Sequence, residues 1–327
     1  MDKQHTKKVK FVCFGGGNAM PKVVLEPLLE YSSNITSITS MVDNGGSTGQ
    51  LREDFGILPP GDIRRHILAL SKAPQWKKDL LSFRFGREVF DGGHKGHNFA
   101  NVFMAGMENV TKDYGKVLDI IHEFMEVEGR ALPATVQNTQ LFAILENGEI
   151  IKGEDEIDVP KIHNPSIKIR NIYVEPEVDA YDKSLDAVSG ADVLIIGPGD
   201  LYSSSLPCFL MKGMKEEVAK SKAKKIFVCN IMTKLGETND FSVSDFTHEV
   251  EKYLGCELDH VIYNSKIPSE RRIMEYKKKE PTTLNLVKIN EDLDEKKYVG
   301  KDILADEGPL HHDAEKLIKV IMDLSLI

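Results

Sequence analysis

Five short apolar runs in this chain are each followed at once by glycine, asparagine or aspartate, and that arrangement constrains the fold more than any other feature. The runs are 9–14, 35–42, 191–196, 225–229 and 260–263. Longer stretches with helical spacing separate them, the pattern of βαβ units around a mainly parallel sheet. The last three runs are almost continuously apolar, as strands covered by helices on both faces must be. A chain of 327 residues with 41% hydrophobic and 28% charged residues can bury such a core.

The segments between the second and third runs differ in character. From Gly61 to about Val127 the spacing is helical, with Leu68, Leu70, Leu80, Leu81, Phe99, Phe103, Met104, Met107, Leu118, Ile121 and Phe124 as expected core positions. After Pro133 the pattern changes to a β-hairpin, 141–151, whose Asn147-Gly148 pair is expected to take positive φ at both central positions. With 167–174 it forms a small antiparallel addition. The expected architecture is therefore a mainly parallel sheet flanked by helices, in one domain over 1–327. A helical insertion occupies about 61–130 and the β addition about 133–175. The stretch 290–308 is charged and mixed, and 313–324 reads as an amphipathic docking helix.

Charge and cysteine usage exclude several classes. A formal net charge of -9 argues against a nucleic-acid partner, because duplex binding rests on clustered Lys and Arg. Cys13, Cys208, Cys229 and Cys256 show no paired spacing for zinc or redox chemistry and read as free thiols. The apolar run after the lysine-rich amino terminus is too short for a signal-peptide core or a membrane span, so the cytoplasm is the expected compartment.

In an open α/β sheet, ligands bind beyond the carboxyl ends of the strands. The runs here lead into Gly15-Gly16-Gly17-Asn18, Asp43-Asn44-Gly45-Gly46-Ser47-Thr48-Gly49, Gly197-Pro198-Gly199-Asp200, Asn230 and Asn264. Glycine turns at helix starts let main-chain N–H groups approach an anion, although each alone also reads as a tight structural turn. Position 20 is Met20, so the first turn is not a dinucleotide fingerprint, which disfavours a nicotinamide-dependent oxidoreductase. Asp62 reads either as a helix cap or as a ligand contact. Arg64 and Arg65 fall in that helix's first turn, where cations oppose the macrodipole, and an outside anion would compensate them. The cluster Gly92-Gly93-His94-Lys95-Gly96-His97-Asn98 precedes an apolar helix, with His97 and Asn101 expected on one helical face. Ser203, Ser204 and Ser205 suit phosphate contacts better than a nucleophile elbow. Asp43 and Asp62 cannot both face a bare diphosphate, so either magnesium bridges them or they meet hydroxyls and ring nitrogens.

These motifs, with Gln50-Leu51-Arg52, Pro59-Pro60-Gly61-Asp62-Ile63-Arg64, Gly96-His97-Asn98-Phe99-Ala100-Asn101, Leu201-Tyr202 and Cys229-Asn230-Ile231-Met232-Thr233, resemble the CofD-like family from about Lys8 to Arg272. That family contains the 2-phospho-L-lactate transferases of deazaflavin cofactor synthesis and the YvcK-type gluconeogenesis factors. Pro133-Ala134-Thr135 and Gly236-Glu237-Thr238 resemble the YvcK branch more closely. The resemblance implies a Rossmann-like fold, a homodimer and a nucleotide cleft. It also implies UDP-sugar binding linked to gluconeogenic growth, cell shape and cell-wall synthesis, without an established reaction. The alternative it implies is transfer of a phospholactyl or phosphoenolpyruvyl group from a nucleotide diphosphate donor to a deazaflavin alcohol, with magnesium. Carried over by position, the cleft falls on Gly15, Gly16, Gly17, Asp43, Gly46, Ser47, Arg52, Asp62, His97, Asn98, Gly199, Asn230 and Arg271. The residues themselves add Asn18, Arg64, Gly197 and Ser203. Candidates for catalysis are Asp43, Asp62 and His97, and for a metal Asp43 and Asp62. Asn18-Ala19 departs from the Thr-Gly usual in the family, as Ala100 does from glycine.

Overall fold

A computed structural model describes residues 9–86 and 96–325, apart from the side chains of Ser47, Asp54 and Phe55. The Gly92-Gly93-His94-Lys95 part of the glycine–histidine cluster lies outside the described residues.

Seven parallel strands form the central sheet: β1 (Phe11–Phe14), β2 (Ile35–Thr39), β3 (Arg130–Pro133), β7 (Val193–Ile196), β8 (Lys224–Val228), β10 (His260–Asn264) and β12 (Tyr298–Lys301). Their order is β12-β10-β8-β7-β1-β2-β3, and every adjacent pair is parallel. The chain runs outward from β1 to β3, returns to the other side of β1 at β7, and runs outward again. The strand order therefore reverses between β1 and β7, where such a sheet opens a crevice.

Period-two burial supplies the core. Phe11 and Cys13 of β1 face one layer with Ile35, Val193 and Ile195, and helices α3 (Gly61–Leu70), α5 (Phe99–Thr111), α6 (Tyr114–Phe124) and α12 (Ala314–Ser325) cover it. Val12 and Phe14 face the opposite layer with Ile38, Leu194 and Ile196. Helices α8 (Asp182–Ser189), α9 (Met214–Lys220) and α10 (Val243–Leu254) pack there. Beside them lies a three-stranded antiparallel sheet of β4 (Gln140–Leu145), β5 (Ile150–Lys152) and β6 (Ile169–Glu175), ordered β5-β4-β6. Each Leu, Ile or Phe buried in these layers contributes about 1.5–3 kcal/mol of transfer free energy.

Several expectations are corrected. The sheet has two strands beyond the five read from sequence: β3 forms one edge, and β12, inside the charged 290–308 stretch, forms the other. A second small sheet pairs β9 (Met232–Lys234) with β11 (Thr283–Leu286). The hairpin turn has positive φ at Gly148 alone. It closes through Gly148 N–H to the Leu145 carbonyl at 3.0 Å and Leu145 N–H to the Glu149 carbonyl at 2.9 Å, a three-residue loop instead of the two-residue turn. Of the helical core positions, Leu70, Leu81, Met104, Leu118 and Ile121 are buried, whereas Phe103 is 37% exposed and stacks on Phe99. Cys13, Cys208, Cys229 and Cys256 are free thiols. No described helix is long and apolar enough to cross a membrane.

Candidate functional site

The loops leaving β1 and β7 meet at the reversal point. A Cβ placed on Gly199 would lie 3.7 Å from the Gly16 carbonyl oxygen, and Asn230, beyond β8, donates to the Gly199 carbonyl at 2.9 Å. A Cβ on Gly16 would lie only 2.5 Å from Asp62 Oδ2, so this close approach requires glycine. Among the described residues, neither the Gly16 nor the Gly199 main-chain N–H meets an acceptor. A Cβ on Gly199 would also lie 4.0 Å from the Gly16 nitrogen, so the two turns meet backbone to backbone at the crevice.

Other amides of the turns are taken by the protein itself. Gly17 donates to Asp62 Oδ1 at 3.1 Å, Gly45 to Asp43 Oδ1 at 2.9 Å, and Gly197 to the Phe14 carbonyl at 2.9 Å. The second turn leads into α2 (Gly46–Phe55), and Gly61, opening α3, packs against it so closely that a Cβ there would lie 2.7 Å from Asp43 Oδ2. Burial, then the charge of Asp62, pushes the Asp43 carboxyl up to about 6, against the Gly45 amide. Asp62 in turn is ion-paired with Arg65.

Two cavities join along this edge. One, of about 420 Å³, is lined by Gly17, Ser40, Asp43, Gly45, Asp62, Arg65, Ser203 and the acidic residues Glu154, Asp155, Asp158 and Asp200. The other, of about 340 Å³, is lined by Gly16, Gly17, Asn18, Gly199, Asp200, Asn230, Lys234, Tyr276, His311 and His312. They share Gly17 and Asp200. Glu154 and Asp158 belong to α7 (Glu154–Asp158), which the hairpin unit sets against the second turn through Asn44 Oδ1 accepting from the Asp155 N–H at 3.0 Å. Burial, followed by the charges of Asp43 and Asp158, raises Glu154 to about 10.

Asp158, Asp200 and Glu237 each bring a carboxylate oxygen within 4.8 Å of the others, a spacing that would hold a metal ion. Lys234 pairs with all three. Burial pushes the Glu237 carboxyl up and Lys234 opposes it, while the three carboxylates hold Lys234 well above the ordinary lysine range despite its burial. Burial raises Asp200 as well.

The structure gathers Gly16, Gly17, Asn18, Asp43, Asp62, Gly199, Ser203 and Asn230 at these cavities. Other expected positions it places elsewhere. Arg52 donates to the Val42 and Asp43 carbonyls from Nη1, at 3.3 and 2.9 Å, and to the Thr139 carbonyl from Nη2 at 2.7 Å, so its fork ties the second turn to the hairpin unit. Asp62 is not the helix cap, which is Pro60. Arg65 is compensated from within by Asp62, and Arg64, held down to about 10 by burial and by Arg65 and Arg84, lines neither cavity. His97 precedes α5, so it shares no helical face with Asn101, and Asn98 caps that helix by accepting from the Ala100 N–H at 2.9 Å. Neither lines the cavities. Arg271, on α11 (Glu270–Lys279), is exposed and paired with Glu275. Gly15 donates to the Ile38 carbonyl at 3.4 Å, Gly46 starts α2, and the Ser47 side chain lies outside the described residues. Ser203 gives its hydroxyl to Glu237 Oε1 at 3.0 Å, so a phosphate would have to displace a carboxylate there.

Glu154, Asp158, Lys234, Tyr276 and His312 were not among the expected site residues. The run Gly153-Glu154-Asp155-Glu156 reads as solvated charge in sequence, and only the hairpin's docking turns it inward. Glu237, in the Gly236-Glu237-Thr238 segment that resembles the YvcK branch, was the available signal.

A family model described as 2-phospho-L-lactate transferase CofD matches residues 11–306. The gluconeogenesis factor of Bacillus subtilis is 33% identical over 328 residues, spanning 97% of this chain and 98% of that protein. That of Listeria innocua is 32% identical over 324 residues, spanning 96% of this chain and 95% of that protein. A crystal structure of a UPF0052 family member from Bacillus halodurans superposes with a TM-score of 0.86 at 30% identity, covering 96% of this chain and all of that one.

Proposed function

The chain belongs to the CofD family, and on that footing we propose that it is a regulatory protein of the gluconeogenesis-factor type that binds a nucleotide sugar, a UDP-sugar, in the crevice between β1 and β7. The observation that carries this reading is that the turns of Gly16 and Gly199 meet at the sheet's reversal point with main-chain amides that have no acceptor among the described residues. Main-chain donors so arranged suit phosphate oxygens.

Charge decides which end of the ligand goes where. The larger cavity sets Asp43, Asp62, Asp155, Asp158 and Asp200, beside a Glu154 that stays protonated at neutral pH, against Arg65 and Lys161, so it repels a bare diphosphate and suits hydroxyl donors. The diphosphate therefore sits toward Gly16, Asn18, Gly199 and Asn230, and the sugar hydroxyls toward the carboxylates. The protein acts in the cytoplasm as a homodimer, and the bound sugar reports carbon status to cell-wall synthesis and cell shape during gluconeogenic growth. Isothermal titration with UDP-N-acetylglucosamine tests this: binding is expected, and no heat at millimolar ligand, with or without magnesium, rules it out.

The same acidic cavity favours a second reading, a transferase acting on a nucleotide-activated phospholactyl or phosphoenolpyruvyl donor. The excess of negative charge there fits a divalent cation, which Asp43 and Asp62 would hold and which would neutralise donor phosphates. Gly16 and Gly199 would orient the donor, and Asp62 would keep the first turn in place through Gly17. Mass spectrometry of the protein incubated with such a donor and a deazaflavin alcohol decides it, absence of product excluding transfer.

A further inference from the structure

Lys234, on β9, points its ammonium into the Asp158–Asp200–Glu237 triad. Its Nζ lies 3.1 Å from Asp200 Oδ2 and 3.2 Å from Glu237 Oε1, with Asp158 Oδ1 in closer contact still. The ammonium donates a hydrogen bond to Asp158 and is ion-paired with Asp200 and Glu237, so it draws one oxygen from each of three chain segments: the hairpin unit, the third turn and the loop after β9. Glu237 is completely buried and fixed by further donors, the Tyr202 N–H at 2.8 Å and the Ser203 N–H at 3.2 Å on Oε2. A magnesium or manganese ion taking the same oxygens at about 2.1 Å would occupy the space the ammonium fills.

We infer that Lys234 is the resident cation of this triad, closing it to divalent metal and holding the third turn in place for the ligand. Asp200 adjoins Gly199, so the lysine's grip on Asp200 positions the Gly199 amide. The part concerning the ligand rests on the nucleotide-sugar reading, whereas the part concerning metal does not.

The decisive measurement counts bound Mn²⁺ per chain, from the electron paramagnetic resonance of free Mn²⁺, for the unmodified protein, K234A, K234R and K234A/E237Q. K234A is expected to bind one Mn²⁺ more than the unmodified protein, while K234R and K234A/E237Q return to the unmodified count. Equal counts for K234A and the unmodified protein overturn the inference. In EDTA, K234A is expected to lose about tenfold or more in UDP-sugar affinity and to regain it with Mn²⁺, a rescue that a merely structural lysine would not show. If K234A does not accumulate, the unmodified protein decides. Fe²⁺ with ascorbate then cuts the chain beside bound metal, and cleavage next to Glu237 overturns the inference while its absence there supports it. If no form binds a UDP-sugar, the nucleotide-sugar reading fails, and the Mn²⁺ counts still judge Lys234.

Discussion

Asp62, in the first turn of α3, accepts the main-chain N–H of Gly17 at 3.1 Å and leaves no room for a side chain on Gly16, whose Cβ would lie 2.5 Å from Asp62 Oδ2. The first turn is thus held by a carboxylate from α3, the helix after the one that the second turn opens. Gly16→Ala must push Asp62 away and break the bond to Gly17. Ligand affinity is expected to fall about tenfold or more, which titration calorimetry would measure. An unchanged affinity would separate the Gly16 amide from binding.

Asn230→Ala removes the side chain that holds the Gly199 carbonyl at 2.9 Å. One partly buried hydrogen bond contributes about 0.5–1.5 kcal/mol, so stability in urea changes little. Ligand affinity is expected to drop several-fold more than stability does, because the Gly199 amide loses its brace.

Arg52→Met leaves three carbonyls, those of Val42, Asp43 and Thr139, without their donor. A loss of about 2–4 kcal/mol is expected in urea unfolding. Lysine restores part of it at most, since one ammonium cannot reproduce the planar fork.

Glu154 gives the pH test. Its carboxyl is raised from 4.5 to about 10 in the fold, chiefly by burial. A raised carboxyl contributes stability below its unfolded value and loses it as pH rises toward the folded one, because the unfolded chain releases the proton first. The unmodified protein therefore loses stability on this group's account from about pH 4.5 upward. Glu154→Gln, neutral in both states, is expected to match it near pH 4.5 and to be more stable by about 1–3 kcal/mol at pH 8. His66 and His312, each lowered to about 4 by burial, pull the other way between pH 6.5 and 4, and comparison with the variant cancels their effect. Equal stability of the two proteins at pH 8 would show that Glu154 ionises freely.

The strands that carry the crevice were legible because their burial is continuous: Phe11–Phe14 and Val193–Ile196 are buried at every position. The edges were not. Tyr298–Lys301 contains Gly300 and Lys301 and is only partly buried, since one flank of an edge strand faces solvent and leaves little apolar signature. Arg130–Pro133 ends in proline, which sequence reasoning reads as a break. Within the site, glycine turns announce themselves through the backbone freedom they supply, and Gly16, Gly17 and Gly199 were found that way. Arginines proved poor guides: the fold brings the Thr139 carbonyl to Arg52, while Arg65 and Arg271 pair within their own helices, with Asp62 and Glu275. Lys234 and the acids of α7 were missed for the same reason: nothing local tells a solvated acidic run from one folded onto a glycine turn.

The pairing of Phe11 with Val193 has a consequence for the protein's making. A growing chain can lay β2 against β1 soon after the ribosome releases them, but the other wall of the crevice is not yet synthesised. The two turns at its mouth become neighbours only when a loop of well over a hundred residues has closed, the slow kind of encounter in chain assembly. Whatever small molecule rests there bridges the early and late halves of the polypeptide, and so acts as a clasp on their union.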